Sequence, residues 1–385
     1  MMRRRPLDLR GGFELPATRW RMEPHTAAKH EILRHYLNAW FPILGSQHER
    51  VVFLDGFAGP GIYEHGEPGS PIIALRTLLE HSFFPRMACQ FEFFFLESRQ
   101  DRYDSLVEQL DSFTRTHGGL PRNIAIVPQQ TTFEEAASGL VNDLQQQRAK
   151  AAPTFAFIDP FGFKGAPIQL VGRLLAFDRC EVFFHFMYNR VNQFLAAERI
   201  TPHLNGLFGT RDYIQACDLD SSARKQFLHD LYKRQLHDVG GFTYVRSFEM
   251  ITHDGHISFL FYGTRALKGL RAMKDAMWKV DVGGGTRFSD RLAGQEVLLA
   301  GDAVDVGPLR TAMLQRFAGR RTSVDEVEEF VLADTPYAAS HYKRQILKPL
   351  EEAGRLEALS PRARRFTYPE GTALRFAAEQ LGFLA

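Results

Sequence analysis

Val51-Val52-Phe53-Leu54-Asp55-Gly56-Phe57-Ala58-Gly59-Pro60-Gly61 reads as a buried strand that ends in an acidic residue and opens into a glycine-rich turn. Glycine lets the backbone pass close to a bound molecule, and in open α/β sheets ligands sit beyond the carboxyl ends of the strands. The spacing is not the G-x-G-x-x-G of a dinucleotide fingerprint, and no G-x-x-x-x-G-K-[ST] occurs in the chain, so neither the NAD nor the P-loop reading gains support.

Downstream, the turn lengthens through Gly66, Pro68 and Gly69 to Ser70-Pro71, where a serine N-cap and a proline at the first helical position predict a helix to Glu80. Phe91-Glu92-Phe93-Phe94-Phe95-Leu96 is a nearly continuous apolar run, as expected of a strand buried on both faces, and Glu97 ends it. A helix near 101–110, a strand at Ile124 to Val127 and the capping-box pattern Thr132-Phe133-Glu134-Glu135 follow. Phe155 to Ile158 leads into Asp159, and Val182 to Phe186 forms a fifth strand. This alternation predicts βαβ units and a parallel sheet. Two later runs, Phe242 to Ile251 and His256 to Tyr262, flank Asp254-Gly255 and predict an antiparallel hairpin. Upstream, Ala28, Ile32, Tyr36, Leu37 and Trp40 recur at helical spacing from His25 to Leu44, with Pro42 and Gly45 marking the exit. The helical stretch from about 189 to 239 has no place in a minimal fold of this kind and reads as an inserted cap or substrate-facing element.

Composition bounds the rest. The chain has 385 residues, 44% hydrophobic and 24% charged, with a net charge of +2, which is ordinary for a globular protein of two or three domains and not for one uniformly coated for nucleic acid. No apolar run approaches the roughly 20 residues of a membrane span. Arg3, Arg4 and Arg5 are followed by Pro6, Asp8 and Arg10 rather than an apolar stretch, so the expectation is a cytoplasmic protein without membrane partner. Cys89, Cys180 and Cys217 are scattered, without C-x-x-C, and encode neither a disulfide framework nor a metal site.

The Asp-x-Phe-x-Gly-x-Gly pattern resembles motif I of S-adenosylmethionine-dependent methyltransferases, and five parallel strands closed by an antiparallel hairpin are how a Rossmann-like class I methyltransferase sheet is built. On that reading Asp55, Gly56, Phe57, Gly59 and Gly61 hold the cofactor S-adenosylmethionine, Glu97 accepts hydrogen bonds from the ribose hydroxyls, and Gln130 or Thr131 lies near the adenine. The gap from the glycine turn to Glu97 is well beyond the roughly 20 residues of the usual fingerprint, which makes the stretch from Gly61 to Gly69 an insertion. Asp159-Pro160-Phe161-Gly162 resembles motif IV of amino-methyltransferases. An amine attacking a sulfonium methyl needs acceptors for its N–H groups, which a carboxylate and a neighbouring carbonyl supply, while Phe161 could stack on a base. An Asp-Pro turn with a purely structural role is the plain alternative. Cytosine-C5 methylation is disfavoured, because no Pro-Cys pair supplies the nucleophile. Tyr188-Asn189-Arg190 reads equally as substrate contact or polar strand exit, His185 as a satisfied core histidine, and Met273, Met277 and Trp278 as a packing stripe.

After Gly307-Pro308, helices at Leu309 to Phe317, Ser323 to Leu332 and Tyr337 to Glu352, then strand-like runs at Leu356 to Leu359 and Phe366 to Tyr368, predict a winged helix-turn-helix with Tyr337 to Glu352 as recognition helix. Between His341 and Arg365 seven basic residues face three acidic ones. Lys343, Arg344, Arg362, Arg364 and Arg365 are therefore candidate phosphate contacts, with protein docking as the rival use and Pro349 a potential bend. The expected division is an extension at 1–24, a methyltransferase-like domain at 25–300 and the winged helix at 305–385.

Taken together, His25 to Trp40, Asp55 to Gly61, Gly69-Ser70-Pro71, Phe157 to Gly162 and Lys274 to Trp278 resemble the bacterial three-Cys-motif partner (TcmP) proteins over essentially the whole chain. The resemblance implies a class I methyltransferase fold and a separate three-Cys-motif protein as partner. It leaves two functions open: methyl transfer to an exocyclic amino group of RNA or DNA, or a catalytically silent cofactor-binding scaffold for that partner.

Overall fold

The computed structural model describes residues 17–147, 151–292 and 304–378; most of the N-terminal extension, including Arg3 to Arg5, lies outside them. The chain divides into two compact units. The first takes the described residues up to Arg265 and Ser289–Arg291, the second Ala266–Phe288 and the described residues from Leu292 onward.

In the first unit five parallel strands, β1 (Arg50–Asp55), β2 (Gln90–Leu96), β3 (Ile124–Gln129), β4 (Thr154–Ile158) and β5 (Glu181–Phe186), alternate with helices. The hairpin β6 (Tyr244–Ile251) and β7 (Ile257–Thr264) follows, with β7 antiparallel to both β5 and β6. Its turn closes through Gly255 N–H to Thr252 O, at a φ of +79° that suits glycine. The sheet order is β3-β2-β1-β4-β5-β7-β6, and a further short strand, β8 (Arg287–Ser289), comes later in the chain. This is the Rossmann-like class I methyltransferase sheet, and its order reverses between β1 and β4, where such sheets open a crevice.

Side-chain alternation along the strands sorts the core into two layers. Phe53, Phe93, Phe155 and Phe183 face α1 (Pro24–Gly45), where Tyr36 and Trp40 lie 5.0 and 5.9 Å from the Phe155 ring. Leu54, Ala156, Ile158, Val182, Phe184 and Phe186 belong to the opposite layer. The helices between strands are α2 (Ser70–Leu79), α3 (Gln100–Thr116), α4 (Phe133–Gln147) and α5 (Ile168–Leu174), then α6 (Tyr188–Phe194), α7 (Thr201–Phe208) and α8 (Ser221–Asp238). Instead of capping the site, α8 buries Leu228, Leu231, Tyr232 and Leu236 in that second layer, and the Tyr232 ring lies tilted 4.8 Å from Phe186. The stretch from 189 to 239 is thus the crossover from β5 to β6, lengthened.

At the N-terminal end of β5 the buried Glu181 accepts hydrogen bonds from Tyr36, Tyr262 and Thr264. Burial pushes its carboxyl above the usual range against those three hydroxyls. The network ties α1 to β5 and β7.

The second unit carries α9 (Leu267–Val280), α10 (Gly307–Phe317), α11 (Val324–Asp334) and α12 (Lys348–Glu352), with strands β9 (Arg321–Ser323), β10 (Leu356–Ala358) and β11 (Ala373–Phe376) in the order β10-β11-β9. It is a winged helix to which α9 contributes a further helix: Met273 and Met277 are buried, and Lys274 donates to the carbonyls of Val331, Leu332 and Thr335 at the end of α11. The expected capping box at Ser323 and Glu326 is present. Gly283 to Gly285, read as a flexible loop, is clasped by Asp281, whose carboxylate accepts from the backbone of Gly283, Thr286 and Arg287.

Two details of the winged helix differ from expectation. Tyr337 to Glu352 is not one α-helix: a 3-10 turn (Ala339–His341) and a π-helical stretch (Lys343–Leu347) precede α12. Pro349 has no N–H to give the preceding turn, and the widened turn before it, with Lys348 N–H bonded to Lys343 O, absorbs the mismatch. The second wing strand is β11, not Phe366 to Tyr368, because Phe366 has a φ of +61° and turns the chain.

Candidate functional site

The strand ends β1 and β4 meet at the crevice, and their two carboxylates are held very differently. Asp55 is fully buried; its Oδ2 accepts from Ser70 Oγ at 2.6 Å and its Oδ1 from Phe57 N–H at 3.1 Å. Ser70 is therefore not the N-cap of α2, a position taken by Gly69, but a clasp from the first turn of that helix to the glycine turn. Burial with only neutral donors raises the Asp55 carboxyl to about 7. Gly59 and Gly61 have φ of +61° and +76°, and Gly69 packs so closely on Gly61 that a Cβ would come within 2.9 Å of its backbone.

Asp159, one-fifth exposed, is bonded by two groups that sequence reasoning did not bring to it. Lys29 Nζ, from α1, donates to Oδ2, and His185 Nδ1, from β5, lies 2.6 Å from Oδ1. His185 Nε2 lies 2.8 Å from Ser258 Oγ on β7. His185 is satisfied as expected, yet it is a partner of Asp159 rather than a plain core histidine. Burial would raise the Asp159 carboxyl, but Lys29 and His185 hold it well below the carboxylate range. Burial and the Lys29 charge in turn lower His185. Each carboxylate oxygen carries one donor, and a carboxylate has about four lone-pair positions, so Asp159 retains acceptor capacity. The Pro160 carbonyl already accepts from Gly162 N–H at 2.8 Å, with Gly162 at a φ of +125°.

Two cavities flank Phe57 and Phe161, which line both. The first, about 260 Å³, is walled by Gly59 to Gly61, Lys29, His30, Tyr63, Asp159 and His185. The second, about 390 Å³, is walled by Gly56, Glu97, Arg102, Thr131 and Lys164. Glu97 accepts from Arg99 N–H at 2.8 Å, and burial raises its carboxyl against that amide and the nearby Arg102. Thr131 lines the second cavity while its hydroxyl serves the cap of α4; Gln130 is exposed and is not among the lining residues. Phe161 is 43% exposed. A strap before α1 crosses the first cavity: Trp20 stands edge-on to Phe161 at 5.2 Å and to Tyr63 at 5.8 Å, its carbonyl accepts from Glu64 N–H, and Arg102 lies over both the Trp20 and Phe161 rings.

The residues fit an elongated molecule with two polar ends, one reaching the Glu97 carboxylate and one the glycine turn. His30, which lines the first cavity, carries an unsatisfied polar atom. His30 is 5% exposed, its Nδ1 is buried without a hydrogen-bond partner, and burial together with the Lys29 charge lowers it to about 3. Lys29 and His30 lie on a helix whose apolar spacing reads only as packing; nothing in the sequence marks them.

The second unit sorts the expected basic residues. Arg362 is consumed by a two-point ion pair with Glu351, at 2.9 and 2.5 Å, and Lys343 is half-buried beside Glu328. Arg344, Arg364 and Arg365 are exposed.

A family model described as a GMT-like wHTH domain matches residues 287–362. Comparison with curated proteins gives no match. Among solved structures, protein LPL1258 from Legionella pneumophila str. Philadelphia 1 is 12% identical, with 63% of this chain and 85% of that one covered at a TM-score of 0.37. The plantazolicin methyltransferase BpumL in complex with SAH is 8% identical, over 63% and 86% of the two chains, at a TM-score of 0.29. A second BpumL complex, with SAH and a monoazolic desmethylPZN analog, is 10% identical over 62% and 86%, at 0.26. Likeness this distant adds nothing to the strand order, which defines the methyltransferase-like fold. Among the described residues no helix is long and apolar enough to cross a membrane.

Proposed function

We propose that the first unit binds S-adenosylmethionine and transfers its methyl group to an amine, the exocyclic amino group of a nucleic-acid base being the substrate class. The observation that carries this is the pair of cavities meeting at Phe57 and Phe161, with Glu97 in one and the glycine turn beside Asp159 in the other. The cofactor would supply an electrophilic methyl carbon. Glu97 would hold the ribose hydroxyls, the turn from Gly56 to Gly61 the amino-acid end, and Asp159 would accept an N–H of the incoming amine on its remaining lone pairs, aligning the nitrogen and stabilising the charge that grows on it. Exposed Phe161 would stack on the base. Arg344, Arg364 and Arg365 of the winged helix would contact phosphates.

Calorimetric titration with the cofactor tests the first half: binding is expected, and Gly59→Arg with Glu97→Ala should abolish it. Transfer of tritiated methyl from the cofactor into total bacterial RNA or DNA, lost in Asp159→Ala, tests the second. Binding without transfer into any nucleic-acid or protein pool would instead favour a scaffold for a three-Cys-motif protein.

A further inference from the structure

The amine already resting on Asp159 belongs to the protein. Lys29 Nζ donates to Asp159 Oδ2, its side chain is 7% exposed, and both residues line the cavity formed by the glycine turn. The residue chosen on chemical grounds to align an acceptor amine therefore holds a primary alkyl amine, delivered by α1. Resting on the methyl-transfer reading above, we propose that Lys29 occupies the acceptor position and is itself methylated when the cofactor binds without an external substrate.

The step balances simply. The Lys29 ammonium releases one proton to solvent, the freed nitrogen lone pair forms the N–C bond, and the methyl–sulfur bond breaks with its electron pair returning to sulfur as a thioether. The product is a secondary ammonium that still pairs with Asp159. Burying an ammonium in a partly apolar wall is costly unless it is paired, and Asp159, oriented from its other oxygen by His185 and through it by Ser258, provides that pairing. Lys164 lines the neighbouring cavity and serves as an internal control.

The test uses the full-length protein. It is incubated with S-adenosylmethionine carrying a deuterated methyl group, digested, and the peptides containing Lys29 and Lys164 are read by mass spectrometry. In parallel, S-adenosylmethionine and S-adenosylhomocysteine are titrated calorimetrically. The expected result is a deuterated methyl on Lys29 and none on Lys164. The mark should vanish in Lys29→Arg, which keeps the ion pair, and in Asp159→Asn while S-adenosylhomocysteine still binds. A second readout needs no turnover: an ammonium in the acceptor position opposes the sulfonium charge, so Lys29→Met should tighten S-adenosylmethionine severalfold more than S-adenosylhomocysteine. Cofactor binding with Lys29 unmodified, or equal marking of Lys164, overturns the proposal and leaves the cofactor reading intact. Absence of binding by either compound sinks the cofactor reading, and this proposal with it.

Discussion

Asp55 and Asp159 end neighbouring strands of one sheet, the first fully buried and the second one-fifth exposed, yet one carboxyl is raised to about 7 and the other is held far below its usual range. Burial acts on both in the same direction; the partners decide. A hydroxyl and an amide leave the buried Asp55 carboxyl raised, which suits a clasp between the glycine turn and α2. A lysine and a histidine keep Asp159 charged, which suits an acceptor for an amine. The sharpest way to break this contrast is Asp159→Ala, which strands the Lys29 ammonium beside His185. Removing one partner of a buried pair costs about 3–5 kcal/mol, so a large fall in unfolding free energy is expected at pH 7. Because the folded carboxyl lies below its unfolded value, the Asp159 contribution is complete above the ordinary carboxylate range and is lost as pH falls below it. A variant as stable as the parent would show that Lys29 finds another partner and that the ion pair is incidental.

Asp55 should behave with the opposite sign. Its folded pKa of about 7 exceeds the unfolded 3.8, so the native state holds the extra proton between those values. Stability should decline as pH rises from 4 to 7 and level off above, by an amount on the order of a few kcal/mol. Asp55→Asn should flatten that slope, as read by denaturant unfolding at pH 5 and pH 8. An unchanged slope would mean that Asp55 is charged when buried, and the distinction between the two strand ends would fall.

The strands, the glycine turn and both carboxylates were legible because each is encoded locally, as an apolar run with an acidic or glycine-rich end. The partners that set the charge of Asp159 were not. Lys29 sits on a helix over 100 residues upstream and His185 on another strand, and they meet Asp159 only through sheet order and the docking of α1. Ser70 was misread for a similar reason: as a helix-start serine it predicts an N-cap, but tertiary structure offers Asp55 as a better acceptor. In the winged helix the apolar Phe366 to Tyr368 suggested a strand, whereas Tyr368 is buried with its hydroxyl on Glu351 and the ladder is made by β11.

The second unit contains its own version of a captured cation. Lys274 is 1% exposed and donates to three carbonyls at the end of α11. An ammonium there satisfies the orphan carbonyls of a helix C-terminus and complements its dipole. Lys274→Met should lower the stability of the winged helix by about 1.5–3 kcal/mol, the range for hydrogen bonds to a charged group, measured by thermal unfolding of the full chain. A neutral outcome would place the binding of α9 in its apolar stripe alone.

The smallest expected effects separate the arginines of the winged helix by the same rule of partnership. Arg362 spends its guanidinium on Glu351 and on the Thr367 carbonyl, whereas Arg344, Arg364 and Arg365 stand exposed. If the winged helix binds nucleic acid, each phosphate contact contributes about 0.7–0.9 to the slope of log affinity against log salt. Replacing Arg344, Arg364 and Arg365 by alanine should therefore flatten that slope by about 2 to 3 units without altering thermal stability. Arg362→Ala should do the reverse, lowering stability while the slope stays, since the lost interaction is internal. A slope indifferent to the three exposed arginines would assign this face to a protein partner, and deletion of 305–385 should then abolish capture of a three-Cys-motif protein while cofactor binding persists.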